Sequence, residues 1–278
     1  NSLILLLTAT IWGMAFVSQS KGMDYMHPFT FNGVRSLIGA AGILVYILFS
    51  RKIAGDKAAK LDWKLNVKAG LLCGIFLTIA SILQQFGIKY TSVGKAGFIT
   101  TLYIIFVPMF GIFLKKKVAP VVWAAAGMAA VGMYLLCMTE SLRLGAGDIM
   151  VFLCAIAFAI QIMTVDHYAA RIDGAVVSCI QFTVCGVVCC IGALIWGQPT
   201  FGQIQEGLGA LLYAGVLSCG VGYTLQIVGQ KGLNPTVAAL IMSLESVIAT
   251  ISGWIAYKIG FLSTDQTLTP RQIAGCII

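Results

Sequence analysis

The sequence predicts an all-α integral membrane protein of ten transmembrane helices, arranged as two inverted five-helix repeats. Hydrophobic residues make up 59% of the 278 residues and charged residues only 10%, whereas a soluble domain carries about 25% charged residues. The apolar runs are continuous and about twenty residues long, as bilayer-spanning helices require, and they lack the period-two alternation of barrel strands. A short polar motif also recurs in the two halves of the chain.

Ten hydrophobic segments alternate with short connections rich in turn residues. The tenth is shortened by the end of the sequence, and we expect both ends of the chain to be trimmed relative to a natural gene product. The segments are 2–20, 28–50, 66–88, 94–114, 120–138, 147–167, 175–197, 207–229, 234–258 and 270–278. No connection between them is long enough to hold a soluble domain. Pro108 predicts a kink within segment four.

The recurring motif is L-Q-x-x-G-x-K, which occurs at 83–89 and again at 225–231. The two copies are 142 residues apart. At the same offset, Tyr103 in segment four is equivalent to Glu245 in segment nine. Equivalent polar positions in two apolar segments indicate an internal repeat.

A second offset extends the repeat to the earlier segments, because 146 residues separate Trp12 from its equivalent, Phe158. The expected repeats are residues 1–138 and residues 139–278, which together form one transmembrane domain. Each repeat has five segments, an odd number, so the two halves enter the membrane in opposite directions. Inverted repeats of this kind are a feature of many secondary transporters.

Lysine and arginine residues in the connections set the expected orientation. When the connections are assigned alternately to two sides, eleven basic residues fall on one side and five on the other. The richer side holds Arg51, Lys52, Lys57, Lys60, Lys64, Lys68, Lys115, Lys116, Lys117, Arg171 and Lys231. The positive-inside rule places that side in the cytoplasm. We therefore expect both termini in the cytoplasm and the connection around Arg143 outside.

Several classes of function receive no support from the sequence. The net charge of +8 comes mostly from the short connections, so it indicates topology and not a nucleic acid partner. The nine cysteines lie within or beside apolar runs, where a free cysteine acts as a small hydrophobe. Neither they nor His27 and His167 show metal-ligand spacing, and no hydrolase or nucleotide-binding motif occurs. We expect neither an enzyme nor a bound metal or cofactor.

Glu245 is the most informative residue, because it lies near the centre of the apolar run 238–257. A carboxylate there costs about 2.5–3.5 kcal/mol on insertion scales. A partner residue, a water-filled cavity or a translocated ligand could offset that cost. We predict that Glu245 binds a cation or couples to protons. The alternative is a structural carboxylate that is hydrogen-bonded to a neighbouring helix.

Other polar side chains within apolar segments are candidates for a substrate site, because lipid cannot satisfy their hydrogen bonds. The predicted substrate-binding residues are Trp12, Gln84, Tyr103, Gln161, Tyr223, Gln226 and Glu245. The aromatic residues would form walls and the glutamines would orient polar groups. Arg35, Lys95 and Glu245 are candidates for coupling or gating. Each has a structural alternative: the cations could snorkel or tie helices together, the glutamines could join helices, and the rings could be packing residues.

Helical spacing groups some of these candidates. Ser218, Gly222 and Gln226 follow one another at intervals of four in segment eight and would share a helical face. Lys95 and Tyr103 lie two turns apart in segment four and would also share one. A narrow polar face on each of several helices indicates a common polar space between them.

The residues also resemble a known family. The matching features are Ile11-Trp12-Gly13, Arg35, Pro108, Leu244-Glu245 and Thr269-Pro270-Arg271-Gln272-x-x-Gly275. In order and spacing they resemble the EamA-type members of the drug/metabolite transporter superfamily. The resemblance implies two inverted five-helix halves around a central cavity and the export of small polar metabolites, often amino acids, across the cytoplasmic membrane. The sequence departs from the family at Ser246, where a proline often follows the glutamate, and this leaves the substrate open.

Together these features predict a secondary transporter that exports a small polar metabolite by alternating access, with an amino acid or an amine as the leading candidate. The expected partners are this small molecule and the lipid bilayer. Protons as the coupling ion and a homodimeric assembly are left open. One alternative is a flippase for a lipid-linked substrate, which would need a lateral opening to lipid. The other is a membrane sensor or assembly subunit that transports nothing.

Overall fold

The computed structural model describes residues 1–54, 61–113, 120–137, 145–263 and 265–277. Within these ranges the regular structure is helical and contains no β-strand. Eight helical stretches are long and apolar enough to cross a membrane. They match predicted segments one to four and six to nine, which confirms a multi-pass, all-α membrane protein.

The helices differ in continuity, and several predicted segments comprise more than one helix. In chain order they are α1 (Ser2–Gly22), α2 (Pro28–Ala54), α3 (Trp63–Ile88), α4 (Val93–Thr100), α5 (Tyr103–Phe113), α6 (Pro120–Cys137), α7 (Ala146–Tyr168), α8 (Gly174–Gly192), α9 (Phe201–Glu206), α10 (Leu208–Leu212), α11 (Tyr223–Gln230), α12 (Pro235–Met242), α13 (Glu245–Lys258) and α14 (Pro270–Ile277). Segments five and ten correspond to α6 and α14, and it stays a prediction that these two cross the membrane.

Segment eight is not a regular α-helix, because a π-helical stretch, Tyr213–Gly222, joins α10 to α11. A second π-helical stretch, Ala193–Gly197, continues α8. Stretches of π-helix inside α-helices occur frequently at functional sites. The interval-of-four spacing assumed for segment eight therefore does not hold along its whole length, although Ser218 and Gln226 are both buried.

Two membrane spans are broken near their middle. One is interrupted at 101–102, between α4 and α5, and the other at 243–244, between α12 and α13. Pro108 lies inside α5, after this interruption, and the kink expected at Pro108 stays a prediction. Lys95 and Tyr103 consequently belong to different helices and do not share one helical face as their spacing predicted.

The helices pack closely around the broken spans. The first helix, α1, lies against α13 and the π-helical stretch of segment eight, while α3 lies against α7 and α8, and α2 against α8. Glycine permits the closest approaches: a Cβ added to Gly87 would lie 2.8 Å from the carbonyl oxygen of Gly147. This packing encloses the middle of the bundle and leaves apolar side chains such as Leu48 and Phe49 exposed on its outside, as a lipid-facing surface requires.

Some sequence predictions fall on residues outside the described ranges. These are the basic run Lys115–Lys117, the connection around Arg143 and the boundary at 138–139 between the expected repeats.

Candidate functional site

A small central cavity brings together most of the predicted site residues. It is lined by all seven predicted substrate-binding residues, Trp12, Gln84, Tyr103, Gln161, Tyr223, Gln226 and Glu245, and by Arg35. Four of these eight come from each expected repeat. The cavity volume is about 30 Å³, enough for one or two water molecules. A cavity of this size is too small to hold an amino acid.

Glu245 and Tyr103 form the polar centre of the cavity. The Tyr103 hydroxyl donates a hydrogen bond to Glu245 Oε1 at 3.0 Å, and both residues are almost fully buried. Within the described ranges, this is the one hydrogen bond of the Glu245 side chain. Glu245 also occupies the first turn of α13, because the span breaks just before it. The backbone through the interruption keeps an α-helical conformation and its hydrogen bonds, so the Tyr103 hydroxyl is the polar contact that offsets part of the cost of burying Glu245.

Aromatic rings form one wall of the cavity. The ring centroids of Trp12 and Tyr223 are 4.5 Å apart, and Tyr223 packs edge-on against Phe182 at 4.9 Å. Trp12 Nε1 donates a hydrogen bond to the carbonyl oxygen of Ser218 at 3.4 Å, which fixes the indole against the π-helical stretch. An aromatic wall of this kind can accept a cation over its ring faces.

The glutamines combine hydrogen bonds between helices with unused bonding capacity. Gln226 donates to Gln161 Oε1 at 3.3 Å, and Gln84 donates to Thr100 Oγ1 at 3.2 Å. Within the described part of the chain, Gln161 Nε2 and Gln226 Oε1 have no partner. These two glutamines therefore join helices, as one interpretation of the sequence held, and also present a free donor and a free acceptor at the cavity.

Arg35 is enclosed with the other cavity residues. Its exposed fraction is 5%, so it does not snorkel to water, which was one structural alternative. Its guanidinium lies over the ring of Phe31, 5.4 Å from the ring centroid. The sequence could not indicate this burial, because an arginine seven residues into a segment can reach either the interface or the interior.

Lys95 does not line the central cavity. Its ammonium forms an ion pair with Asp148 at 2.6 Å. Asp148 also accepts hydrogen bonds from Thr91 Oγ1 at 2.8 Å and from the Gly145 backbone N–H at 2.9 Å. This cluster connects α4 to the N-terminus of α7, on the side predicted to face outward. Lys95 therefore joins α4 to α7 and has no contact with the central cavity.

Sequence reasoning missed several residues of the site. Phe158 and Phe182 line the cavity, yet a phenylalanine in an apolar run carries no distinguishing signal. Asp148 was also missed, although an acidic residue at the start of an apolar segment, three residues after Gly145, is a recognisable helix-capping pattern. Thr100 was missed because threonine is common in membrane helices.

A second, open cavity of about 550 Å³ lies at the ends of α2, α3 and α11, on the side predicted to be cytoplasmic. Its lining includes Arg51, Arg171 and Lys231 together with Asp62 and Asp173. The two acidic side chains accept hydrogen bonds from backbone N–H groups at the starts of α3 and α8. With three basic and two acidic side chains, the lining of this second cavity has a net positive charge.

Neither histidine lines the central cavity. His27 stacks on Phe29 with ring centroids 5.7 Å apart. Burial lowers the pKa of His27, and the charge of Lys89 lowers it further, so its imidazole is neutral at pH 7. A proton-coupling hypothesis therefore depends on Glu245 and not on a histidine.

The fold and site define a multi-pass α-helical membrane protein with an enclosed polar cavity between its helices. The model of the EamA-like transporter family matches residues 2–138 and 145–278. The chain belongs to this family of membrane transporters, which confirms the resemblance seen in the sequence.

Individual relatives agree with this assignment. A protein of Archaeoglobus fulgidus described as an uncharacterized transporter is 26% identical over 280 residues, covering 99% of this chain and 81% of the relative. A crystal structure of another protein has the same fold, with a TM-score of 0.75 at 16% identity over 99% of this chain and 92% of the other.

Proposed function

We propose that the protein is a secondary transporter that exports an amino acid or an amine across the cytoplasmic membrane by alternating access. The observation that carries this proposal is the closed central cavity, where polar and aromatic residues from both halves of the chain meet around Glu245. Burying this many polar groups between membrane helices is costly unless they serve a ligand or one another. Both termini would lie in the cytoplasm.

The Tyr103–Glu245 contact supports two inverted repeats, residues 1–138 and 139–278. These residues are equivalent at the offset of 142, and their side chains touch each other. Two residues related by a two-fold axis can touch only when both lie at that axis. The proposed axis therefore passes through the cavity. The two broken spans agree, because 101–102 and 243–244 are also equivalent at this offset.

Helix packing supports the same relation. Gly87 packs against Val151, and its equivalent Gly229 packs against Leu5. Leu5 is in turn equivalent to Val151 at the second offset, 146. The contact between α3 and α7 therefore has its counterpart between α11 and α1. Alternating access would use these two equivalent interfaces in turn, opening one while the other stays closed.

The Lys95–Asp148 ion pair is the contact that would act as the predicted gate. It bridges α4 and α7 at the side predicted to face outward, while the larger open cavity lies on the opposite side. A solute would enter from the cytoplasm while this ion pair holds the outer side closed. The pair would then separate when the outer side opens.

Glu245 supplies the proposed coupling. Its burial favours the neutral acid, whereas a bound cation favours the carboxylate. The ionisable groups that share its cavity include Tyr103, Tyr223 and Arg35. Exchange of a proton for a cationic group of the solute would alternate the two charge states.

The test is flux into liposomes that contain the purified protein, measured for amino acids, amines, nucleosides and sugars at several pH values. We expect Glu245→Gln to fold, because glutamine keeps the shape and a hydrogen-bond acceptor, and to lose pH-dependent transport. Glu206→Gln, which removes an exposed carboxylate, is the matched control and should behave as the wild type. Normal flux by a folded Glu245→Gln variant at every pH contradicts the role of Glu245. Absence of flux by the wild type for every solute contradicts transport itself.

A further inference from the structure

Arg35 is a cation buried among the membrane helices. Within the described ranges, its side chain forms no ion pair or hydrogen bond, and its Nε atom is fully enclosed without a partner. Arginine stays protonated in proteins, and an isolated charge in a low-dielectric interior is costly. Contact with the ring of Phe31 offsets only part of that cost. The closed cavity thus contains a permanent positive charge available to an anionic group.

The acidic residue of the cavity does not neutralise this charge. Glu245 hydrogen-bonds to Tyr103, and within the described ranges no ion pair joins it to Arg35. Arg35 and Glu245 therefore face one cavity as a permanent cation and a separate carboxyl group. A simple amine could complement Glu245 but would leave Arg35 unpaired. A solute with both an ammonium and a carboxylate complements both.

We propose that Arg35 binds the carboxylate of the transported solute, so that the substrates are zwitterionic amino acids and not simple amines. This inference rests on the proposed transport function. The planar guanidinium can donate two parallel hydrogen bonds to a carboxylate, a geometry that lysine cannot reproduce. The unused donor Gln161 Nε2 and the unused acceptors Gln19 Oε1 and Gln226 Oε1 offer further contacts to the two ends of such a solute.

The test compares solutes that differ only at the carboxylate. Purified full-length chain is titrated with L-leucine, L-phenylalanine and L-threonine, each beside its carboxamide, and binding is followed by thermal shift. The carboxamide keeps the amine and the side chain but lacks the negative charge. We expect the best-bound amino acid to bind the wild type at least about tenfold more tightly than its carboxamide, the ratio that one hydrogen bond between charged groups supplies.

Substitutions then assign the preference to Arg35. In Arg35→Gln we expect the ratio of acid to carboxamide binding to fall to about one, through weaker binding of the acid. The variant should fold, because it loses an unpaired buried charge. Arg35→Lys should keep part of the preference, since it retains the charge without the planar group. Arg271→Gln, which removes an exposed guanidinium, should leave the ratio unchanged.

The outcomes separate this inference from the proposed function. Wild-type protein that binds acid and carboxamide equally, or binds neither, overturns the role of Arg35 even if no variant folds. A folded Arg35→Gln variant with the wild-type ratio overturns it as well. If wild-type liposomes move amines or carboxamides as fast as the acids, transport stands and only the role of Arg35 fails. If nothing moves while the Arg35-dependent preference persists, the carboxylate site stands and transport fails.

Discussion

Replacing Tyr103 by phenylalanine removes one hydroxyl from the centre of the cavity and leaves the ring in place. That hydroxyl lies 3.0 Å from Glu245 Oε1, in a site where Tyr103 is 2% and Glu245 3% exposed. Water has little access, so the lost bond cannot be replaced readily. A hydrogen bond to a charged group contributes about 1.5–3 kcal/mol to stability and a neutral one about 0.5–1.5 kcal/mol. The cost of Tyr103→Phe therefore depends on the charge of Glu245.

The assay measures the free energy of unfolding of Tyr103→Phe in two backgrounds, wild type and Glu245→Gln, at several pH values. A glutamine acceptor is neutral, so in that background we expect a cost of about 0.5–1.5 kcal/mol at every pH. In the wild-type background the cost should start at the same level at low pH, where Glu245 is protonated. It should rise towards about 1.5–3 kcal/mol at high pH, where the carboxylate forms.

Two results would refute this reasoning. If Tyr103→Phe costs nothing in either background, the hydrogen bond does not contribute to the folded state. If the cost is equal in both backgrounds at all pH values, Glu245 does not change its charge, and the proposed coupling by alternating charge states fails.

Three other predictions concern the surrounding structure. Lys95→Gln should lower the free energy of unfolding by about 1–2 kcal/mol, because it leaves the buried Asp148 carboxylate without its cation. Adding Asp148→Asn should restore part of this loss, and a further loss would contradict the pairing. Gly87→Leu should lower the free energy of unfolding by about 1–3 kcal/mol, because the larger side chain overpacks its contact. Gly42→Leu, where an added Cβ meets nothing within 4 Å, should change the free energy of unfolding by no more than about 0.5 kcal/mol. A cysteine replacing Arg143 in a cysteine-free background should react with an impermeant reagent from outside, and labelling only from the cytoplasm would reverse the predicted orientation.

The membrane spans could be predicted from the sequence because their signal is local. A continuous apolar run of about twenty residues is itself the physical requirement for crossing a bilayer. The breaks at 101–102 and 243–244 could not be predicted, since Thr101-Leu102 and Ser243-Leu244 contain neither proline nor glycine. Pro108, for which the sequence predicted a kink, lies inside α5, and neither interruption falls at it. Surrounding helices decide where these spans bend.

The cavity residues were predictable to the extent that they are polar. Glu245 and Gln161 stand out in apolar runs because lipid cannot satisfy them, and both line the cavity. Phe182 was not predictable, because its sequence neighbourhood looks the same whether it faces lipid, core or cavity. The partner of Lys95 was not predictable either, since Asp148 lies 53 residues away and the pairing depends on how α4 meets α7.

The proposed two-fold axis has a consequence for what sets the direction of transport. A group at the axis keeps its relation to both halves when inward and outward states exchange, so Glu245 would face the solute in both. The difference in energy between the states must then come from contacts that lack an equivalent in the other half.

The Lys95–Asp148 ion pair is such a contact at the predicted outer side. At the opposite end, Asn1 Nδ2 donates a neutral hydrogen bond to the Lys231 carbonyl oxygen at 2.6 Å. We expect the charged hydrogen bonds of the ion pair to cost more to separate than the exposed neutral bond. The unliganded protein should therefore favour the state that is closed outward, which is the state an exporter needs in order to load from the cytoplasm.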